Sequence, residues 1–166
     1  MPTVAEIRRA SVDFFEMTLD ASFSKSLQLN KAGERRLLPI YGAFLAGRFG
    51  DVEREIEGRK RDGIGRIDFC IGGVALELAV RKPKDSRTTL STTVNTDEVH
   101  KLLWYDGTAV LVLLDYSRSP FEEANLNAFR SWPSLGKGNR NLTPFNVVYC
   151  YRSKGKAESF YKQIRI

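Results

Sequence analysis

The stretch that decides the fold covers residues 65–82 and reads GRIDFCIGGVALELAVRK. It contains two apolar runs joined by Gly72 and Gly73, a dipeptide suited to the positive φ angles of a type I′ turn. The stretch therefore predicts a β-hairpin in which Asp68 and Glu77 are direct cross-strand neighbours. Alternation then places an unbroken apolar set on one face of the hairpin: Ile67, Phe69, Ile71, Val74, Leu76, Leu78 and Val80.

Two carboxylates that face each other need compensation. Like charges about 5 Å apart repel by about 3 kcal/mol at an effective dielectric constant of about 20. A divalent cation is one answer, because Mg²⁺ binds one or two carboxylates and keeps positions open for phosphate oxygens. The other answer is charge balance from Arg66 and Arg81 on the same face, or a raised carboxyl pKa. The spacing alone leaves both answers open.

The segment before the hairpin is predicted to be mainly helical. Apolar residues at helical spacing predict helices over residues 4–19 and 34–48, separated by a polar connection over residues 22–31. Pro39 either lies inside the second helix or is the first residue of a shorter one. Together with the strands below, these helices predict the α/β class, with a central mixed sheet (α+β) flanked by helices.

The segment after the hairpin predicts a crossover. Asn95 and Glu98 form a capping-box-like helix start, and the near-continuous apolar run that follows is typical of a strand covered on both faces. A helix between two strands makes them parallel neighbours. Ser119-Pro120 predicts a further helix start. Strand patterns in the chain lie at residues 52–59, 65–71, 74–82, 109–116 and 145–152, before a basic tail at 154–165.

The composition limits the class of function. The chain has 166 residues, with 26 Lys and Arg against 20 Asp and Glu, and this excess is compatible with a polyanionic partner. No run of about 18 apolar residues occurs, so we expect no membrane span and a cytoplasmic, intracellular protein. Cys70 and Cys150 lie in apolar runs and are expected to be buried thiols, and the single histidine argues against a zinc site.

The acid pair and its setting resemble a known superfamily. Asp68 followed by Glu77 in the middle of the next strand, with a helix before and a helix and buried strand after, resembles the PD-(D/E)XK nucleases and restriction-endonuclease-like proteins. The resemblance covers residues 34–116. It implies one domain over residues 1–166 with a restriction-endonuclease-like core, in which 1–33 is an N-terminal helical extension and 117–166 adds a helix, a strand and the tail.

The resemblance also implies an activity. Asp68 and Glu77 match the metal-binding acids of the superfamily, with the backbone carbonyl of Leu78 beside the metal and Glu34 as an acid from the preceding helix. The implied cofactor is Mg²⁺ or Mn²⁺, and the implied reaction is hydrolysis of phosphodiester bonds in DNA by an endonuclease or exonuclease. A small nuclease that cuts both strands commonly acts as a homodimer.

One position departs from the pattern. Ala79 stands where the superfamily usually has a catalytic lysine, and alanine can neither donate a hydrogen bond nor stabilise a developing charge. A displaced cation could fill the role, with Arg81 one pleat along, Arg66 across the hairpin, and Lys82 ranked lower because it points to the other face. Alternatively, Ala79 is a deliberate replacement of lysine, or the protein is a natural member that binds without cleaving.

Three hypotheses follow for the whole protein: a metal-dependent nuclease, a non-catalytic module that binds nucleic acid or protein, and an unrelated domain with a coincidental acid pair. In the first, His100 and Lys101 on the crossover helix, together with Arg66, are expected around the metal site, with His100 on the exposed side of that helix. The residues expected to contact phosphates are Lys82, Lys84, Arg87, Lys137 and Arg140, with the basic residues of the tail.

Overall fold

The computed structural model describes residues 1–60, 63–90, 95–131 and 143–165. Within them a six-stranded sheet carries helices on both faces, which confirms the mixed α/β class. The strands are adjacent in chain order: β1 (Glu53–Lys60), β2 (Gly63–Ile71), β3 (Val74–Arg81), β4 (Thr108–Asp115), β5 (Phe145–Ser153) and β6 (Lys156–Ile164).

The strand directions divide the sheet into three parts. β1, β2 and β3 form an antiparallel meander, β3, β4 and β5 are parallel, and β6 is antiparallel to β5. The parallel pairing of β3 with β4 confirms the predicted crossover through α5 (Thr96–Leu103). β4 is buried along almost all of its length, as expected for a strand that is covered on both faces.

Different helices cover the two faces. α1 (Val4–Thr18) and α4 (Glu34–Phe49) pack on the first face, whereas α5 and a 3₁₀ helix (Glu123–Ser131) pack on the second. Two short helices, α2 (Ala21–Leu27) and α3 (Leu29–Ala32), connect α1 to α4. In the described part of the chain, each helix is too short or too polar to cross a membrane.

β3 separates two apolar clusters. Leu76 and Leu78 pack with α1 and α4, whereas Ala75 and Ala79 pack with α5 and the 3₁₀ helix. Because side chains alternate along a strand, Glu77 points toward the α5 face. The fold therefore directs the central acid of the predicted pair toward the crossover helix.

The predicted hairpin is present, with one correction. Gly72 and Gly73 have φ angles of 52° and 83°, as a type I′ turn requires. Ile67, however, packs in the second apolar cluster and not with its predicted neighbours on the first face. The alternation changes at Asp68, where the β1–β2 ladder skips the pair with Glu55, whose φ is 53°. Because of this distortion, the residues of β2 before Asp68 face the side of the sheet opposite to the one that alternation predicts.

Two segments predicted to lack regular structure are ordered elements. Residues 22–31 contain most of α2 and α3, because the Asp20 side chain caps α2 and the buried Leu27 and Leu29 anchor the segment. The prediction that residues 154–165 form an irregular basic tail is wrong, because most of them form β6. A second turn with positive φ angles, at Lys154 and Gly155, folds β6 back against β5.

Three further predictions concern proline and capping residues of the helices. Pro39 lies inside α4 at its sixth residue, where its missing N–H removes a single intrahelical bond. Asn95 precedes α5 with φ 60° and makes no side-chain cap, so the predicted capping box is wrong. The helix expected at Pro120 begins later, at Glu123, and is a 3₁₀ helix.

Both cysteines, Cys70 and Cys150, are buried free thiols, as predicted.

Candidate functional site

Asp68 and Glu77 meet where β2 and β3 separate. The paired register of the two strands ends at Phe69 opposite Leu76, one residue before the acid pair, so the predicted direct cross-strand pairing of Asp68 with Glu77 is wrong. Beyond that point the backbone N–H of Leu78 donates to Asp68 Oδ2 at 2.9 Å, in the place of a strand partner. The opening of the sheet thus lets the Asp68 side chain lie beside Glu77, close enough for their charges to interact.

The environment of the pair favours protonated carboxyl groups. Glu77 is almost fully buried, and its burial, followed by the negative charge of Asp68, raises its pKa to about 9 although Lys101 lowers it. Burial also raises the pKa of Asp68, although the Leu78 N–H opposes this. Burial and the charge of Asp68 therefore favour the protonated form of Glu77, whereas Lys101 favours the carboxylate, and a divalent cation would favour the carboxylate further.

Lys101 supplies the cation at this site. Its Nζ lies 2.7 Å from Glu77 Oε1 and donates to the Arg66 backbone oxygen at 2.7 Å. The side chain is held there because Val99, Leu102 and Leu103 bury α5 against the sheet. The sequence predicted Lys101 in the surroundings of the metal; the structure places it in direct contact with a metal-binding candidate.

Two further acids extend the cluster. Glu34 begins α4, and its burial, followed by the charge of Asp68 and then that of Glu98, raises its pKa to about 7. The structure thus brings Glu34 to the acid pair, as the resemblance implied. Glu98 was missed as a site residue, although its position three residues before Lys101 on one helix places both on the same face.

The acid cluster fits a cation that needs few protein ligands. Within the described ranges, no group of three His, Cys, Asp or Glu side chains is already spaced to hold a metal ion. Mg²⁺ commonly binds through one or two carboxylates and keeps several waters. Asp68 and Glu77 form a carboxylate pair of that kind, with Glu34 close to Asp68, whereas the Leu78 carbonyl stays a prediction from the resemblance.

The other predicted cations have different partners. Arg81 is buried in an ion pair with Asp115, donates to the backbone oxygen of Ser119 at 2.6 Å, and covers the Phe121 ring. Arg66 is exposed and pairs with a glutamate of β1 at 2.9 Å through its side chain. Neither guanidinium is therefore placed at the acid pair.

Two predicted residues occupy buried positions. His100 is buried, which corrects the expectation that it lies on the exposed side of its helix. Ala79 is also buried, and it lines a cleft of about 260 Å³ together with Leu90, Leu113 and Phe121. A side chain longer than alanine at position 79 could extend into this cleft.

The predicted phosphate contacts are only partly described. Lys82 and Lys84 are exposed, as is Arg87, which forms a short ion pair with Asp85. The side chain of Lys82 extends beside Gly33 at the start of α4. Lys137 and Arg140 lie outside the described residues.

Comparison with known proteins adds no relative. No protein-family model matches the chain, and neither a curated protein nor a solved structure matches it significantly. The restriction-endonuclease-like core remains a prediction from the motif, and the case for a function comes from the geometry of the acid cluster.

Proposed function

We propose that this protein is a divalent-metal-dependent nuclease of the PD-(D/E)XK type that hydrolyses phosphodiester bonds of DNA, with its catalytic lysine on α5. The observation that carries the proposal is the 2.7 Å contact between Lys101 Nζ and Glu77 Oε1, beside Asp68. This contact favours a displaced cation as the reason that position 79 can be alanine. A cytoplasmic location and a homodimer remain predictions.

Each residue has a defined part in the proposed reaction. Asp68, Glu77 and the Leu78 carbonyl would hold Mg²⁺ or Mn²⁺, which would activate the attacking water and offset phosphate charge. With the cation bound, Glu77 would be a carboxylate, because two positive neighbours would outweigh its burial. Lys101 donates to the phosphate or to the water and stabilises the negative charge that develops in the transition state.

Glu34 is the candidate for proton exchange. A carboxyl group with a pKa of about 7 can accept and release a proton at neutral pH, which suits a general base. The Arg66 backbone oxygen positions Lys101, since it accepts one of the three protons of the ammonium group.

One observation supports the alternative of a non-catalytic nucleic-acid-binding or protein-binding module. Lys101 already contacts the Glu77 carboxylate and the Arg66 backbone oxygen. Such an ion pair can simply neutralise a buried acid, with no part in catalysis. A binding module predicts no cleavage with any divalent ion and unchanged binding when Asp68 is replaced.

Cleavage of end-labelled linear DNA and of circular DNA distinguishes the two. The wild type, Asp68→Asn and Lys101→Met are compared with Mg²⁺, Mn²⁺ and chelator, with Arg48→Met as a control because Arg48 pairs with Asp13 on the exposed surface. We expect metal-dependent cleavage that falls at least about 100-fold in the two site variants and stays unchanged in the control. A wild type without activity in either metal contradicts the nuclease proposal.

A further inference from the structure

A large basic groove lies apart from the acid pair, at the carboxyl ends of the parallel strands. It encloses about 1040 Å³ between the α2–α3 segment and the residues that follow β3, β4 and β5. Crevices outside the carboxyl ends of strands are the usual ligand sites of open α/β sheets. Its cations come from both sides of the crevice: Lys25, Lys31, Lys84, Arg118, Arg152 and Lys154.

The positive charge of the groove is uncompensated. Among the residues that the structure describes, no Asp or Glu lines it. All six cations are exposed, and none forms an ion pair with a carboxylate in the described part of the chain. Six like charges around one crevice repel each other, and a polyanion would relieve that repulsion.

The shape of the groove favours a single strand. Lys25 and Lys31 lie on the helical wall and the other four cations on the strand wall, so phosphates can be contacted from both sides. Leu19, Leu29 and the partly exposed Tyr116 also line the groove. Grooves for single-stranded nucleic acid combine cations for the backbone with apolar and aromatic groups for the bases, which a duplex keeps stacked inside.

The groove is continuous with the neighbourhood of the acid pair. An adjoining cleft shares Asn30 and Lys84 with the groove. That cleft in turn shares Val80 and Arg87 with the cleft beside Ala79, two residues from Glu77 on the same face of β3. The groove and the two clefts thus adjoin one another around the end of β3, and the last of them reaches Ala79.

We propose that the groove binds the sugar–phosphate backbone of a single-stranded nucleic acid and directs it toward the acid cluster. The second half of this inference rests on the proposed nuclease function, whereas binding in the groove does not. The sequence pointed to Lys84 and Lys154, but the other four cations are scattered along the chain and only the fold brings them together.

The test measures fluorescence anisotropy of a labelled 12-nucleotide single strand and of the matching duplex, in chelator and over a range of salt. Lys25→Ala/Arg118→Ala removes one cation from each wall, and Lys31→Ala/Lys84→Ala repeats the change at a second pair. Arg9→Ala/Arg48→Ala is the control, because these exposed arginines lie outside the groove and their loss changes net charge equally.

We expect the wild type to bind the single strand more tightly than the duplex. Each groove variant should lose at least about tenfold in affinity, and its salt slope should fall by about 1.4, or about 0.7 per cation removed. The control should stay within twofold. Equal losses in groove and control variants, tighter binding of duplex, or no binding by the wild type would each overturn the proposal.

A separate arm keeps this inference distinct from the nuclease function. Binding is measured in chelator, so affinity for the single strand reports on the groove without metal at the acid pair, which lies outside the groove. If the wild type binds through the groove but cleaves nothing, the nuclease proposal fails and the groove stands. If it cleaves while the groove variants bind and cleave normally, the groove proposal fails alone.

Discussion

Two buried ion pairs lie on the same face of the sheet, and they are built differently. Arg81 and Asp115 are 2.7 Å apart on neighbouring strands, and the second Asp115 oxygen accepts from the Ser117 N–H while the Tyr149 hydroxyl donates to the first. Lys101 and Glu77 are also 2.7 Å apart, but Glu77 faces another acid and its pKa is raised to about 9.

The difference separates a structural ion pair from a site with an excess of acid. The Asp115 carboxylate accepts hydrogen bonds from Arg81, the Ser117 N–H and Tyr149. Hydrogen bonds of this kind offset the cost of burying a charge. Around Glu77 the nearby charged groups are two further carboxylates, Asp68 and Glu98, and one lysine. A buried excess of negative charge is stable only with protons or with an added cation, and this favours the metal site.

The largest expected effect concerns the structural pair. Asp115→Ala leaves the buried Arg81 guanidinium with only the more distant Asp85 carboxylate, 3.7 Å away, so we expect a loss of about 3–5 kcal/mol in the free energy of unfolding. Urea denaturation measures it, with Asp13→Ala as the matched control, because the exposed pair of Asp13 with Arg48 is worth at most about 1 kcal/mol. A loss at Asp115 no larger than the control would remove the distinction between the two pairs.

The second prediction concerns Glu77 and has the opposite sign. Its native pKa of about 9 lies above the ordinary value of 4.5, so the native state holds a proton that the unfolded state releases, and stability falls as pH rises between these values. Glu77→Gln lacks this penalty and should be more stable than the wild type by about 2–4 kcal/mol at pH 8, with the difference vanishing near pH 4.

Thermal or urea unfolding of both proteins across that pH range checks the sign. Glu53→Gln serves as the control, because Glu53 is an exposed acid on β1. A Glu77→Gln protein that is less stable at pH 8 would mean that Lys101 outweighs burial and Asp68, and that the site is a second structural pair.

The contrast between the two ion pairs also bears on what the sequence could reveal. The glycine pair, the alternation and the apolar β4 run sufficed for the hairpin and the parallel pairing, because those depend on local backbone chemistry and strand period. Asp68 and Glu77 come close without the predicted ladder pairing, because the strands separate at Asp68. The reversed face of Ile67 was not predictable, since it follows from a ladder distortion shared by two strands.

The position of Lys101 needed the fold as well. Helical periodicity places Lys101 next to the buried face of α5, but only the packing of that helix over β3 brings its ammonium group to Glu77. The sequence offered Arg81 and Arg66 in that role because strand alternation is easier to read than contacts between elements. β6 was missed for a similar reason, because its charged residues concealed a strand whose pairing depends on β5.

A smaller expected effect is stabilisation by metal. Mg²⁺ at about ten or more times its dissociation constant should raise the Tm of the wild type by about 3–6 °C, because binding only the native state adds about 1.4 kcal/mol or more. Glu77→Gln and Asp68→Asn should lose the shift, and chelator should reverse it. Differential scanning fluorimetry measures this, and equal shifts in all three proteins would place the ion elsewhere.

Moving the lysine from α5 to β3 and assaying DNA cleavage tests whether Lys101 is the catalytic cation. Lys101→Met removes the cation from α5, and Lys101→Met/Ala79→Lys restores one on the same face of β3, beside the cleft next to Ala79. We predict that the single variant loses at least about 100-fold in cleavage rate and that the double variant recovers at least about tenfold. Unchanged cleavage by Lys101→Met, or cleavage only by proteins that carry a lysine at position 79, would contradict the account.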